Sequence, residues 1–271
     1  MQEIPTDGGV LAWDAVDLTP PWAPASSTVI LHHGLGTNAD MWSGWLPILA
    51  AHHRVVRFDM RGSGRSARLG DGAPPTLERF RDDVLAVADA AGAARFHLVG
   101  ESFGGTVSLF TAATRRDRVL SATCISSPHR GAEIRILDGW DALAGDGAGM
   151  RLWSERMMTY RFRDGAVPEA ALAWFRHEQD RTDPRQVRAV AHLVRNTDLT
   201  PRLAGLDVPV LLLAPDSSPF VEAELVSELH GLLSASALQV FAGTRHGLAF
   251  SHAADCARLF LAFSAGLPSQ G

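Results

Sequence analysis

Residues able to do covalent chemistry gather at three places in this sequence. The first is Gly100-Glu101-Ser102-Phe103-Gly104, with Gly105 behind it. It lies between an apolar run, Phe96 to Val99, that reads as a buried strand, and a run from Thr106 to Thr114 that reads as a helix packed through Val107, Leu109 and Phe110. A serine at a strand-to-helix turn is forced into a tight backbone, and flanking glycines remove the Cβ atoms that would collide there. Its hydroxyl then points outward, and the unpaired N–H groups of the new helix face any negative charge that forms at the attacked carbon. That is the layout of a nucleophile.

A nucleophilic serine needs a base, and the chain offers 11 histidines. Loops at the carboxyl ends of parallel strands converge on one crevice, so the base should follow a strand directly. His246 does so: it comes after the run Leu238 to Phe241 through Ala242-Gly243-Thr244-Arg245 and precedes the last helix. His32 and His33 border a Gly-rich loop and shape it; His52, His53, His97, His177, His192 and His230 read as surface or helix residues. The third place is Asp216, just past the strand before the last. In the chain order serine, acid, histidine, it is the expected partner that orients His246 and stabilises the imidazolium. No H-x-x-x-H or Cys/His cluster has metal spacing, so no metal or cofactor is expected.

The elements that position these groups alternate strand and helix. Asp7-Gly8-Gly9 marks an opening hairpin, Val29 to His32 a central strand, and Arg54 to Phe58 the next one. A helix follows from Leu77, with Phe80, Val84, Val87 and Ala91 on one face, Thr76 as its cap and Gly92 as its stop. Val119 to Ile125 and Pro209 to Ala214 are further strands, and helices are expected over Glu222 to Leu233 and His252 to Phe263. This rhythm predicts an α/β protein with a mostly parallel, doubly wound sheet. From Ser126 to about Thr200 the pattern changes to helical spacing with Trp140, Trp153, Trp174, Leu143, Met150, Met157, Met158, Phe162, Leu172 and Phe175 among balanced charges. The expected organisation is a core over 1–125 and 201–271 with a helical insertion over 126–200.

Composition narrows the function. Apolar residues make up 46% of the 271 and charged residues 20%, the proportions of a folded soluble chain rather than a disordered one. A net charge of −5 argues against a nucleic-acid partner. The absence of a long apolar run argues against a membrane span, and Met1 to Asp7 carries neither a basic start nor an apolar segment, so a cytoplasmic location is expected. Cys124 and Cys256 are expected to be buried thiols.

With these residues in view, the chain resembles the α/β-hydrolase family over nearly its whole length. The resemblance rests on His33-Gly34 after a strand, Asp59-x-Arg61-Gly62-x-Gly64-x-Ser66, the turn around Ser102, and His246 near the end. Gly34 to Trp42 and Arg54 to Asp59 are similar to the enol-lactonases of that family, whose cap typically carries Arg-Trp where this sequence reads Tyr160-Arg161. The resemblance implies that the backbone N–H groups of Leu35 and Phe103 form an oxyanion hole, and that the insertion caps Ser102. It also implies an acid at the position held here by Ser218, two residues beyond Asp216. The expected activity is hydrolysis of a small carboxylic ester or lactone, with C–C bond hydrolysis, or a ligand-binding receptor or carrier with slow or no turnover, as alternatives.

Overall fold

Alternating apolar residues make the strands two-faced, and the sheet is covered on both sides. A computed structural model describes the chain apart from residues 24–25, 71–73, 133, 135–146 and 268–271. Among the described residues eight strands lie in the order β1-β2-β4-β3-β5-β6-β7-β8: β1 (Gln2–Thr6), β2 (Gly9–Val16), β3 (Thr28–His32), β4 (Arg54–Phe58), β5 (Phe96–Glu101), β6 (Val119–Ile125), β7 (Val210–Pro215) and β8 (Ser236–Phe241). The β1–β2 hairpin is antiparallel and β2 meets β4 antiparallel; all other pairings are parallel. This is the doubly wound, mostly parallel sheet expected from the sequence.

Side-chain alternation assigns the layers. Ile30, Val56, Phe96, Leu98 and Leu212 pack on one face against α1 (Leu77–Ala90), α2 (Phe103–Thr114) and α6 (Ala223–Leu232). Their neighbours Val29, Leu31, Val55, Val99 and Leu211 pack on the other, against Trp42, Trp45 and Leu49 of the short helical stretch 39–49 and against α7 (Ala253–Ala265). Thr76 caps α1 by accepting the N–H of Arg79, and Gly92 ends it in the left-handed region at φ +68°. Cys124 and Cys256 are buried free thiols.

Between β6 and β7 the chain is helical: α3 (Gly147–Arg161), α4 (Glu169–Asp180) and α5 (Pro184–Arg195). Helix α5 starts on Asp183, whose carboxylate accepts the N–H of Arg185, and buries Val187, Val190, Ala191 and Val194, a single stripe of its surface. The base of the segment is stitched where it leaves and rejoins the sheet, with Leu199 N–H donating to His129 O and Gly131 N–H to Thr197 O, both at 2.9 Å. Trp140 and Leu143 lie outside the described residues. No described helix is long and apolar enough to cross a membrane.

His97 departs from the surface or helix position expected for it. It sits inside β5, 6% exposed, with Nδ1 on Ser121 Oγ at 2.8 Å. Burial pushes its pKa down to about 4, and it does the same to His32, to about 3, and to His33, to about 4. These rings fold neutral, whereas in the unfolded chain they bind protons below about pH 6.5. Their contribution to stability is complete above pH 6.5 and is lost as pH falls toward 4, on the order of 2 kcal/mol per ring at pH 5. Thermal melts should therefore show a Tm several degrees lower at pH 5 than at pH 7.5, and the drop should shrink in His97→Asn; a pH-independent Tm would show that the buried rings do not control acid stability.

Candidate active site

Ser102 follows the last residue of β5 and precedes the first of α2, and its backbone is in the left-handed region at φ 54°, ψ −121°. Glycine makes that turn possible. A Cβ on Gly100 would fall 2.3 Å from the carbonyl carbon of Gly104, and one on Gly104 would fall 2.3 Å from His32 O. The strain persists because β5 and α2 are buried on all sides and Ser102 N–H still pairs with Ile125 O at 2.8 Å.

His246 arrives from the loop after β8, as the sequence predicts, with Nε2 2.9 Å from Ser102 Oγ. The ring is 3% exposed and lies 4.6 Å from the ring of Phe220, centre to centre. Burial, helped by the charge of Arg161, holds its pKa well below the usual histidine value, so the imidazole is neutral and free of a resting positive charge.

Asp216 does not meet this ring, contrary to expectation. The β7–β8 pairing continues past Pro215, with Asp216 N–H on Phe241 O at 3.2 Å and Ser217 N–H on Thr244 O at 3.1 Å. The carboxylate is thereby turned outward, where it accepts the N–H of Gly243 at 2.8 Å and of Thr244 at 3.2 Å; these bonds hold its pKa below the usual range. The chain reaches the imidazole two residues later. Ser218 Oγ lies 3.2 Å from Nδ1.

Leu35 and Phe103 both line the cavity in front of Ser102. Phe103 is the first residue of α2, so its N–H belongs to the helix's unpaired first turn. The loop carrying Leu35 is fixed by histidine: His33 accepts the N–H of Met60 at Nε2 (2.9 Å) and donates from Nδ1 to Gly34 O (2.8 Å). The Asp59 to Ser66 motif braces the same region. Asp59 accepts the N–H groups of Ala39 and Arg65, each at 2.8 Å, and Arg61 pairs with Asp83 in a buried fork of 2.9 and 2.6 Å.

Two site residues escaped the sequence reading. Glu101, 1% exposed, reaches within 3.4 Å of Arg161 Nη1 and 3.9 Å of His246 Nε2. Burial outweighs the neighbouring cation and pushes its pKa up to about 7. Arg161, at the end of α3, also donates to Leu35 O at 2.5 Å and to Gln179 Oε1 at 2.9 Å. A signal for it existed: Met150, Trp153, Met157 and Arg161 share one helical stripe, so the face that carries the apolar residues carries the guanidinium too. Glu101 had only its place beside the serine.

The cavity, about 50 Å³, is walled by Trp153, Met157, Val190, Ala191, Val194 and Phe220 besides the site residues. Among the described residues no group of three or more His, Cys, Asp or Glu side chains could hold a metal.

Comparison with known proteins agrees with this architecture. Residues 27–253 match the family model described as alpha/beta hydrolase fold. The chain is 42% identical to a putative carbamate hydrolase RutD of Caulobacter sp. strain K31, over 43% of this chain and 40% of that protein. It is 26% identical to 3-oxoadipate enol-lactonase 1 of Acinetobacter baylyi, over 74% of this chain and 73% of that one. The crystal structure of the enol-lactonase from Burkholderia xenovorans LB400 superposes with a TM-score of 0.88 at 22% identity, covering 97% of this chain and 100% of its own. With a strained serine turn at the carboxyl end of a doubly wound sheet, and the family model spanning most of the sequence, the chain belongs to the α/β-hydrolase fold family.

Proposed function

We propose that the protein is a serine hydrolase of small, uncharged carboxylic esters or lactones. The observation that carries this reading is the 2.9 Å contact between Ser102 Oγ and His246 Nε2 at a mainly apolar cavity. Ser102 attacks the carbonyl carbon while Nε2 takes its proton. The C=O π pair moves onto oxygen, which the backbone N–H groups of Leu35 and Phe103 hold; such a donor contributes roughly 3 kcal/mol in comparable sites. Collapse expels the alcohol, protonated from Nε2, and leaves an acyl group on Ser102. Water, deprotonated by the same ring, then releases the acid. The relatives named for enol-lactone and carbamate hydrolysis support a hydrolase without fixing which carbonyl is attacked.

The preference for an uncharged substrate comes from Arg161. It is the guanidinium that reaches the cavity, and it is already committed to Glu101, Leu35 O and Gln179. A carboxylate substrate would have to break that pairing, and the remaining walls are apolar. Residues 126–200 serve in this reading as a cap on a core of 1–125 and 201–271, with Trp153 and Met157 shaping the acyl site. A second reading, a slow enzyme or ligand carrier of the same fold, is favoured by one feature: a hydroxyl, not a carboxylate, at Nδ1 of His246.

Ser102→Ala should lower kcat on p-nitrophenyl butyrate by about a thousandfold or more while Tm moves little, since only binding and the oxyanion donors remain. Undiminished turnover in purified mutant would end the proposal. Asp216→Asn should change kcat by less than tenfold, because that carboxylate faces Gly243 and Thr244 and not the ring; a thousandfold loss would return it to the catalytic set. Trp153→Ala or Met157→Ala should shift kcat/KM between short and long acyl chains by about tenfold or more. A uniform loss that tracks thermal denaturation would make these two residues plain core.

A further inference from the structure

Ser218 Oγ has three polar neighbours in the described structure: the N–H of Phe220 and the N–H of Val221, each at 3.2 Å, and Nδ1 of His246, also at 3.2 Å. A hydroxyl oxygen accepts two hydrogen bonds and donates one. The two backbone groups can only donate, so they occupy both lone pairs, and the hydroxyl proton is left for the ring. We infer that Ser218 donates to Nδ1 and so holds the resting imidazole of His246 with its proton on Nε2, the tautomer unable to take a proton from Ser102. This inference deepens the proposed function and rests on its assignment of Ser102 and His246 as nucleophile and base.

The opposite arrangement fits poorly. An Nδ1–H group pointed at Ser218 would place three donors on one oxygen and leave the hydroxyl proton without an acceptor, at a side chain only 7% exposed. On the other side of the ring the proton is welcome: Nε2 faces Ser102 Oγ at 2.9 Å and the Glu101 carboxyl at 3.9 Å, the only carboxyl group within 4 Å of the imidazole among the described residues. The charged groups around the ring are thus Glu101 from the end of β5 and Arg161 from α3, the latter opposing imidazolium formation. Because that ring stays neutral near pH 7, the choice of tautomer, not of charge, decides whether a base is present.

The consequence is a restrained enzyme. Only the minor Nδ1–H form is competent, and turnover is scaled down by its population. Position 218 sets that population. An aspartate there would meet the same three neighbours as an acceptor only: it can take both backbone N–H groups and an Nδ1–H, and it would reverse the proton order of the ring.

The test starts from the wild-type protein labelled with ¹⁵N-histidine. Long-range ¹H–¹⁵N spectra at pH 8 should show His246 protonated at Nε2 and bare at Nδ1. In Ser218→Asp the tautomer should invert, and both the rate of fluorophosphonate labelling at Ser102 and kcat on p-nitrophenyl butyrate should rise about a hundredfold or more with KM within a few-fold. A wild-type ring protonated at Nδ1 overturns the inference, and that spectrum decides even if the variant fails to fold. An Nε2–H ring in a protein whose Ser102 never reacts, in wild type or variant, supports the tautomer and removes the hydrolase reading instead.

Discussion

The site depends on a buried ion pair. Arg161 and Glu101 are 4% and 1% exposed at their side chains, and removing two such charges from water costs more than their mutual attraction returns unless further hydrogen bonds complete the arrangement. Here they do so on one side: Arg161 also binds Leu35 O and Gln179 Oε1. Burial drives both groups toward neutrality, raising the carboxyl and lowering the guanidinium, and each opposes that shift in the other. The pair therefore does three structural jobs at once. It joins α3 to the loop after β3, it fixes the peptide next to the expected oxyanion donor, and it sets the field around His246.

What the sequence made legible were the parts fixed by local backbone chemistry. The turn at Ser102 needs glycines at 100 and 104 whatever surrounds it, and the alternation of strand residues reads out both faces of the sheet. His246 was legible because topology places every loop after a parallel strand on one edge. Asp216 was misplaced because residue type outweighed register. Whether the pairing of β7 with β8 ends at Pro215 or runs two residues further is a matter of hydrogen bonds to Phe241 and Thr244, and no local propensity marks it. Glu101 and Arg161 acquire their roles from each other across 60 positions, so neither alone announces a site.

The neutral histidines have a common cause. His32, His33 and His97 lie in or next to the central strands, where the sheet is covered on both sides; Nδ1 of His32 meets His33 O, His33 meets Gly34 O and Met60 N–H, His97 meets Ser121 Oγ, and burial refuses each ring its charge. In His33 the arrangement fixes a tautomer that braces two loops at once. The same physics, applied to His246, sets a chemical state in place of a scaffold.

The end of α3 is sewn to the loop that carries His246: Arg245 donates to Thr159 O and Phe162 O, and Gly247 N–H donates to Arg161 O at 2.9 Å. Gly247 permits this approach, since a Cβ there would lie 2.4 Å from the ring of Phe162. In terms of modularity, the helical segment is not one exchangeable part. Residues 159–162 travel with the histidine loop as one unit, whereas α5, which gives Val190, Ala191 and Val194 to the cavity wall, has no such stitches to that loop among the described residues. Helix α5 answers instead to the Asp59 to Ser66 motif, through Gln186 on Arg61 O at 2.9 Å and Ser63 Oγ at 2.8 Å, so a graft that replaces α5 has to carry that contact with it.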